Sequence, residues 1–291
     1  MSTVAPPARA GRSFDVTRPQ LSVSRWAVRL VLLVVIVLFV APMLWLILGS
    51  VHSASALTVD FKGPFTFDNF RAVMNGPTLW TPLLNSVILS GSTALITVFC
   101  AALAAYPLSR YQMRFRKPFL YTLIFSTGLP ITAIMVPVYA MFAHFNITDS
   151  RLATIFFMSA TSLPFAIWMT KSFMDSVPVS LEEAAWTDGA GWFQSLFRVV
   201  LPLMLPGLSV VAIFVFVQQW GDFFIPFILL LDPDKQPASV SIYTFFSSYG
   251  EVAYGQLAAF SIMYTLPIVF LYIVMSRFLG GAFNFAGAVK G

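Results

Sequence analysis

Side chains able to carry charge or proton chemistry are sparse in this chain, and four carboxylates gather in one stretch, residues 175–205: Asp175, Glu182, Glu183 and Asp188. The stretch runs on to Leu201-Pro202-Leu203, is framed by Pro178 and Pro202 and is punctuated by Gly189 and Gly191. Ser180 and Glu183 have the spacing of a capping box, in which serine oxygen and glutamate reciprocally satisfy free backbone donors at a helix start. Glu182 and Glu183 also suit the positive end of the helix dipole. Ala184 and Ala185 propagate the helix, and Gly189 or Gly191 can end it in a left-handed cap. A second amphipathic turn follows, with Trp192, Phe193, Leu196 and Phe197 apolar. A helix this short is marginal alone in water and needs a surface to lie on. Local capping by itself accounts for Glu183. The small residues Ala184, Ala185 and Gly189 permit close approach and point to a docking surface for another protein.

The other chemically suggestive group is Asp222, set beside Gln218, Gln219 and Trp220 inside an apolar run. An acid at membrane depth is costly and faces a bundle interior or water. Asp222 is open to three readings: a hydrogen bond that packs helices, a lining of a solute path, or a proton relay. The neighbouring glutamines and tryptophan offer the hydrogen-bonding and stacking surfaces that sugars use. His52 and His144 have no ligand or triad partner near them in sequence, and Cys100 is the lone cysteine, so neither a metal site nor a hydrolase triad is expected. No Gly-x-x-x-x-Gly-Lys-Ser/Thr loop occurs, so the chain is expected to bind no nucleotide itself. It is not expected to be an enzyme.

The elements that must position these groups are membrane helices. Apolar residues make up 58% of the chain and charged residues 10%, against about 25% charged in an ordinary soluble domain. Six segments approach the roughly 20 apolar residues a bilayer core requires: 27–50, 83–108, 119–143, 152–170, 203–231 and 256–278. The first is too long for a cleaved leader and lacks a small-residue cleavage pattern behind it. Residues 1–24 are expected to be a disordered tail, 25–279 a six-helix transmembrane domain with a polar loop at 175–202, and 280–291 a second tail.

Orientation follows from the basic residues. With the N-terminus inside, inner segments hold Arg9, Arg12, Arg18, Arg25, Arg29, Arg110, Arg114, Arg116, Lys117, Lys171, Arg198, Arg277 and Lys290. Only Lys62, Arg71, Arg151 and Lys235 are then left outside, which places both termini in the cytoplasm. The net charge of +5 therefore reflects membrane orientation, not nucleic-acid binding. In the first outer loop, residues 66–74 read as an amphipathic helix with Phe67, Phe70, Val73 and Met74 on one face, lying in the membrane interface or meeting a partner. Prolines at 42, 107, 130, 137, 164, 206, 226 and 267 suit bent helices around a gated path.

Glu183-Ala184-Ala185, Gly189, Val199 and Leu201-Pro202 resemble the EAA loop of permease subunits of binding-protein-dependent ABC importers. Asp188 and Ala190 extend the match, and Val199 stands where the family has isoleucine. Asn85-Ser86, residues 105–110 (Ala-Tyr-Pro-Leu-Ser-Arg) and Pro137-Val138-Tyr139 resemble the carbohydrate-uptake type. The ending Gly287-Ala288-Val289-Lys290-Gly291 is similar to that of the maltose-permease G-type subunit. The resemblance implies an all-α type I importer fold, with the loop acting as a coupling helix on an ATPase through Ser180, Glu182, Glu183, Ala184, Ala185, Asp188 and Gly189. It also implies that Gly287 to Gly291 reach the ATPase dimer. The implied partners are a second permease subunit, two ATPase subunits holding ATP-Mg, and an extracytoplasmic solute-binding protein. Sugars, sugar alcohols and glycerophosphate-type compounds are all candidate solutes. Gly221 replaces the asparagine common before the acid in the family, which weakens transfer of a path-lining role to Asp222. An ion-coupled secondary transporter using Asp222 and a non-transporting scaffold are the alternatives.

Overall fold

The computed structural model describes residues 25–53, 64–246 and 252–288, with no side-chain account of Arg25 or of residues 278–288. The tail expected before Arg25, and Val289, Lys290 and Gly291, lie outside the described residues. The chain divides into two compact units, 1–45 and 46–291. The first carries most of α1 (Arg25–Ser50), whose side chains from Trp26 to Leu44 are all exposed, as expected of a helix whose natural surroundings are apolar.

The second unit is helical. It comprises α2 (Asp68–Asn75), α3 (Trp80–Arg110), α4 (Arg116–Thr127), α5 (Ile131–His144), α6 (Arg151–Asp175), α7 (Val179–Thr187), α8 (Trp192–Ser195), α9 (Leu201–Trp220), α10 (Phe224–Leu229), α11 (Ala238–Ser241) and α12 (Tyr254–Ala288). Among the described residues, extended pairing is limited to two isolated bridges, His52 with Phe65 and Phe246 with Val252. Among the described residues, five helices are long and apolar enough to span a membrane, or six if the bent pair α4–α5 counts as one span.

At the centre, α3 packs against α6 and α9. Small residues on α3 (Ala94, Ala101, Ala102 and Ala105) are buried there and let the backbones approach, as membrane helices require without a hydrophobic drive between them. The closest fit is Gly207 of α9, where an added Cβ would lie 2.7 Å from Cγ of Phe173 on α6. The buried hydroxyls of Ser159 and Ser162 donate to carbonyls one turn back, so these two enter the core without stranding a donor.

Three expected segments differ in extent or continuity. The span at 119–143 is two helices meeting at 92°, because Gly128-Leu129-Pro130 interrupts it and Pro130 takes the N-cap position of α5. The span at 203–231 stops at Trp220; a turn at Gly221 and Asp222 leads into the separate α10. It also starts earlier, since α8 continues through a π-helical turn, Leu196–Val200, into α9. That wide turn immediately precedes Pro202, which has no N–H to offer the preceding turn. Finally, α12 carries the chain helically through Gly287 and Ala288, so the expected tail at 280–291 continues that helix for most of its length.

The amphipathic helix expected at 66–74 is α2. It does not simply float at an interface: Val73 is buried in a cluster with Leu79, Ala238, Phe245, Ala259 and Phe260. Asn69 Nδ2 fastens it by donating to the carbonyls of Ser50 and His52, each at 3.0 Å. Phe67 and Met74 stay exposed.

Candidate functional site

Helix α7 projects from the end of α6 after Ser176-Val177-Pro178. Its start differs from the capping box expected of Ser180 and Glu183: the helix begins at Val179 with Pro178 at the cap, and no side chain caps it. Ser180 is exposed within the first turn. The C-terminus follows expectation. Gly189 has φ +86°, its N–H donates to Trp186 O at 3.0 Å, and Ala190 N–H donates to Ala185 O at 2.9 Å. This is the paired cap in which a left-handed glycine lets two chain-end donors satisfy the last carbonyls.

The two adjacent glutamates part company. Glu183, Ala184, Asp188 and Gly189 are exposed, Ala185 is half-buried, and Leu181 and Trp186 add exposed apolar surface. Glu182 is completely buried. It forms an ion pair with Arg110 Nε at the end of α3 and accepts a 3.0 Å hydrogen bond from the Tyr106 hydroxyl. Arg110 also donates to Val177 O at 3.1 Å, and Ser109 donates to Asp175 at 2.6 Å while Lys171 pairs with the same carboxylate. The exposed face of α7 thus carries Glu183, while Glu182, expected on the same face, is turned into the bundle.

The second candidate region is a cavity of about 430 Å³ with a largely apolar wall, into which Ser126, Thr127, Thr161, Gln218, Gln219 and Asp222 bring polar groups beside Leu129, Ile131, Ile134, Ala160, Pro164 and Ile225. The break between α4 and α5 brings Ser126 and Thr127 to its wall, which the sequence reading of an unbroken span did not anticipate. The signal was present in Gly128-Leu129-Pro130, since broken helices at membrane depth are tolerated where they line a cavity. Gln219 is buried and donates to Ser162 Oγ at 2.7 Å. Asp222 Oδ1 accepts from the N–H groups of Phe224 (2.9 Å) and Ile225 (3.3 Å), so one carboxylate oxygen caps α10. Trp220 is not with them. It is buried, stacked between Phe216 and Tyr264, and its carbonyl is held by the Tyr264 hydroxyl. Of the four residues expected to share a path, three line the cavity and Trp220 supports the helix behind it. His52 is buried against Phe65, and among the described residues no cluster of His, Cys, Asp or Glu is arranged to hold a metal.

Residues 97–281, which contain both regions, match the family of binding-protein-dependent transport system inner membrane components. The chain belongs to that family. It is 30% identical over 250 residues to the diacetylchitobiose uptake system permease protein NgcG of Streptomyces coelicolor, covering 84% of this chain and 83% of that one. It is 32% identical over 254 residues to the trehalose transport system permease protein SugB of Mycobacterium tuberculosis, covering 86% and 92%. With the trehalose/maltose permease protein MalG of Thermococcus litoralis it shares 29% identity over 270 residues, covering 90% and 94%. In fold it resembles a chain of a bacterial ABC transporter involved in import of the acidic polysaccharide alginate, with a TM-score of 0.73 at 22% identity, covering 86% of this chain and 94% of that one. The protein is therefore a multi-pass membrane permease subunit of an ABC importer, with the type I importer fold.

Proposed function

We propose that this permease passes a sugar or related small solute across the cell membrane, in a complex with a second permease subunit and two ATPase subunits. The solute is delivered by an extracytoplasmic binding protein. The observation that carries this reading is the presentation of α7: a short helix, pinned from behind by Glu182, whose exposed face offers Glu183, Ala184, Asp188 and Gly189 for close approach. The ATPase binds ATP-Mg and seats α7 in its surface, with Ser180 and Ala185 at the rim. Gly287, Ala288, Val289, Lys290 and Gly291 contact the same partner. Both termini face the cytoplasm, in keeping with the basic residues on that side.

Sugar-like solutes suit the cavity chemistry. Gln218 offers an amide donor and acceptor, and Asp222 and the hydroxyl oxygens of Ser126, Thr127 and Thr161, whose protons go to carbonyls of their own helices, offer acceptors against an apolar wall, the pattern of a site that orients a polyol by a few polar groups. The names of the relatives, which take up diacetylchitobiose, trehalose and maltose, support the same class.

Transport alternates between two states of the bundle, and each docking event acts by binding one state better than the other. The test is uptake of a panel of radiolabelled di- and trisaccharides in cells carrying or lacking this gene. Uptake that depends on the gene and survives an uncoupler while ATP is held constant supports the proposal. Uptake that collapses with the ion gradient at constant ATP contradicts it.

A further inference from the structure

We infer that the Arg110–Glu182 pair is the joint through which movement of α7 reaches the membrane bundle, so that α7 moves as one body with the cytoplasmic ends of α3 and α6. This rests on the importer reading above and adds a positioning role for two residues that face away from the ATPase-binding surface.

The geometry has three parts. First, the pair is buried: the Arg110 and Glu182 side chains are 4% and 0% exposed. Attraction between charges is stronger where water is excluded, and a partner removed from such a site leaves an uncompensated charge. Second, every strong acceptor or donor around the pair belongs to α3 or to the root of α7. Tyr106 donates to Glu182, and Arg110 reaches back to Val177 O in the connection between α6 and α7. Third, the ends of α3 and α6 are themselves tied by Ser109, Asp175 and Lys171. Beneath lies a packed layer of Ala105, Tyr106, Met174, Val177, Leu196, Val200 and Met204.

Rotation of α7 against α3 would tear the carboxylate from both its partners. Displacement of the whole assembly breaks none of these bonds. A pull on the exposed face of α7 is thereby delivered to α3, the helix at the centre of the bundle, and to α6 beside the cavity.

The experiment uses the complete complex purified through this chain and reconstituted in liposomes. A Gln218→Cys reporter in a Cys100→Ser background is labelled with a membrane-impermeant maleimide added outside, with and without ATP and orthovanadate. With the native pair, trapping is expected to change the labelling rate at least fivefold. In Arg110→Gln and in Glu182→Gln the change should fall below twofold, while the complex stays assembled by gel filtration and hydrolyses ATP at half the native rate or better. The exchanged pair, Arg110→Glu with Glu182→Arg, should recover at least half of the labelling change. Single variants that keep the fivefold change overturn the joint and leave the importer reading standing. Single variants that lose assembly and hydrolysis together, without recovery in the exchanged pair, reduce it to a fold-stabilising contact and also overturn it. No ATP-dependent change with the native pair removes the two-state transport cycle proposed above, and the joint with it.

Discussion

Glu182 and Glu183 are consecutive residues of α7 with opposite fates: Glu182 is buried against Arg110 and Tyr106, and Glu183 faces solvent. Successive residues on a helix are about 100° apart, so one can face the core while the next faces a partner. The two should separate in experiment. Glu182→Ala leaves the Arg110 guanidinium buried and unpaired, at a cost of about 3–5 kcal/mol in thermal unfolding of the purified subunit complex. Glu183→Ala should fall within about 0.5 kcal/mol of the parent, as surface substitutions do. Replacing both members of the buried pair, with Arg110→Met and Glu182→Leu, should recover most of the stability. Equal losses from the two single alanine variants would contradict this assignment.

Gly189 tests the backbone of the same helix. At φ +86° nothing lies within 4 Å of an added Cβ, so any effect of substitution there comes from conformation and not from a clash. Gly189→Asn should be tolerated, since asparagine enters the left-handed region readily. Gly189→Val should cost roughly 1–2 kcal/mol or more and loosen the helix end. Hydrogen exchange at the Gly189 and Ala190 amides reads this directly: protection kept in the asparagine variant and lost in the valine variant.

Gly207 and Phe173 test the packing of α9 on α6. With a Cβ only 2.7 Å from the phenyl ring, Gly207→Ala forces the ring or the helices to shift, costing about 1–3 kcal/mol. Phe173→Leu should relieve part of that strain, so the double variant is expected to be more stable than the sum of the single effects. Additive losses in thermal unfolding would show that the two residues do not press on each other.

A further prediction concerns the end of α6 away from α7, where Asp149 accepts from the N–H groups of Leu231 (2.9 Å) and Asp232 (3.0 Å) and pairs with Lys235. The hydrogen bond from Lys235 holds the Asp149 carboxyl below its usual range, and the same bond raises the lysine. A lowered carboxyl stabilises the fold above the ordinary aspartate value of about 3.9 and loses that contribution as pH falls through its own lowered value. The raised lysine keeps its contribution below about 10.4 and loses it only as pH climbs past that value. Protection of the Leu231 and Asp232 amides, corrected for intrinsic exchange, should therefore be the same at about pH 5 and pH 7. Asp149→Asn should weaken it at both. A fall in native protection between those two values would contradict the clasp.

Much of this arrangement is legible in the amino-acid pattern, because long apolar runs have few alternatives in a bilayer and the EAA spacing is specific. What escaped depends on contacts distant in sequence. Arg110 reads as one more inside-facing charge, yet its partner is Glu182, 72 residues on. Hydropathy counts both as exposed, and only the fold brings them together. The capping box at Ser180 failed because Pro178 already fixes the chain direction one residue before Val179. Trp220 looked like a path residue from its neighbours, but it lies on the side of α9 that packs on Tyr264. The 92° break at Gly128 to Pro130 was written in the sequence and outweighed by the apolar run around it.

Whether the exposed face of α7 meets the ATPase can be read with a photocrosslinker placed at position 183. Benzoylphenylalanine in place of Glu183, in the assembled complex in native membranes, should yield an adduct whose mass and peptide map identify a nucleotide-binding subunit. The same reagent in place of Phe67 on the opposite side should not. Absence of any such adduct at 183, in a complex that still transports, would contradict the account.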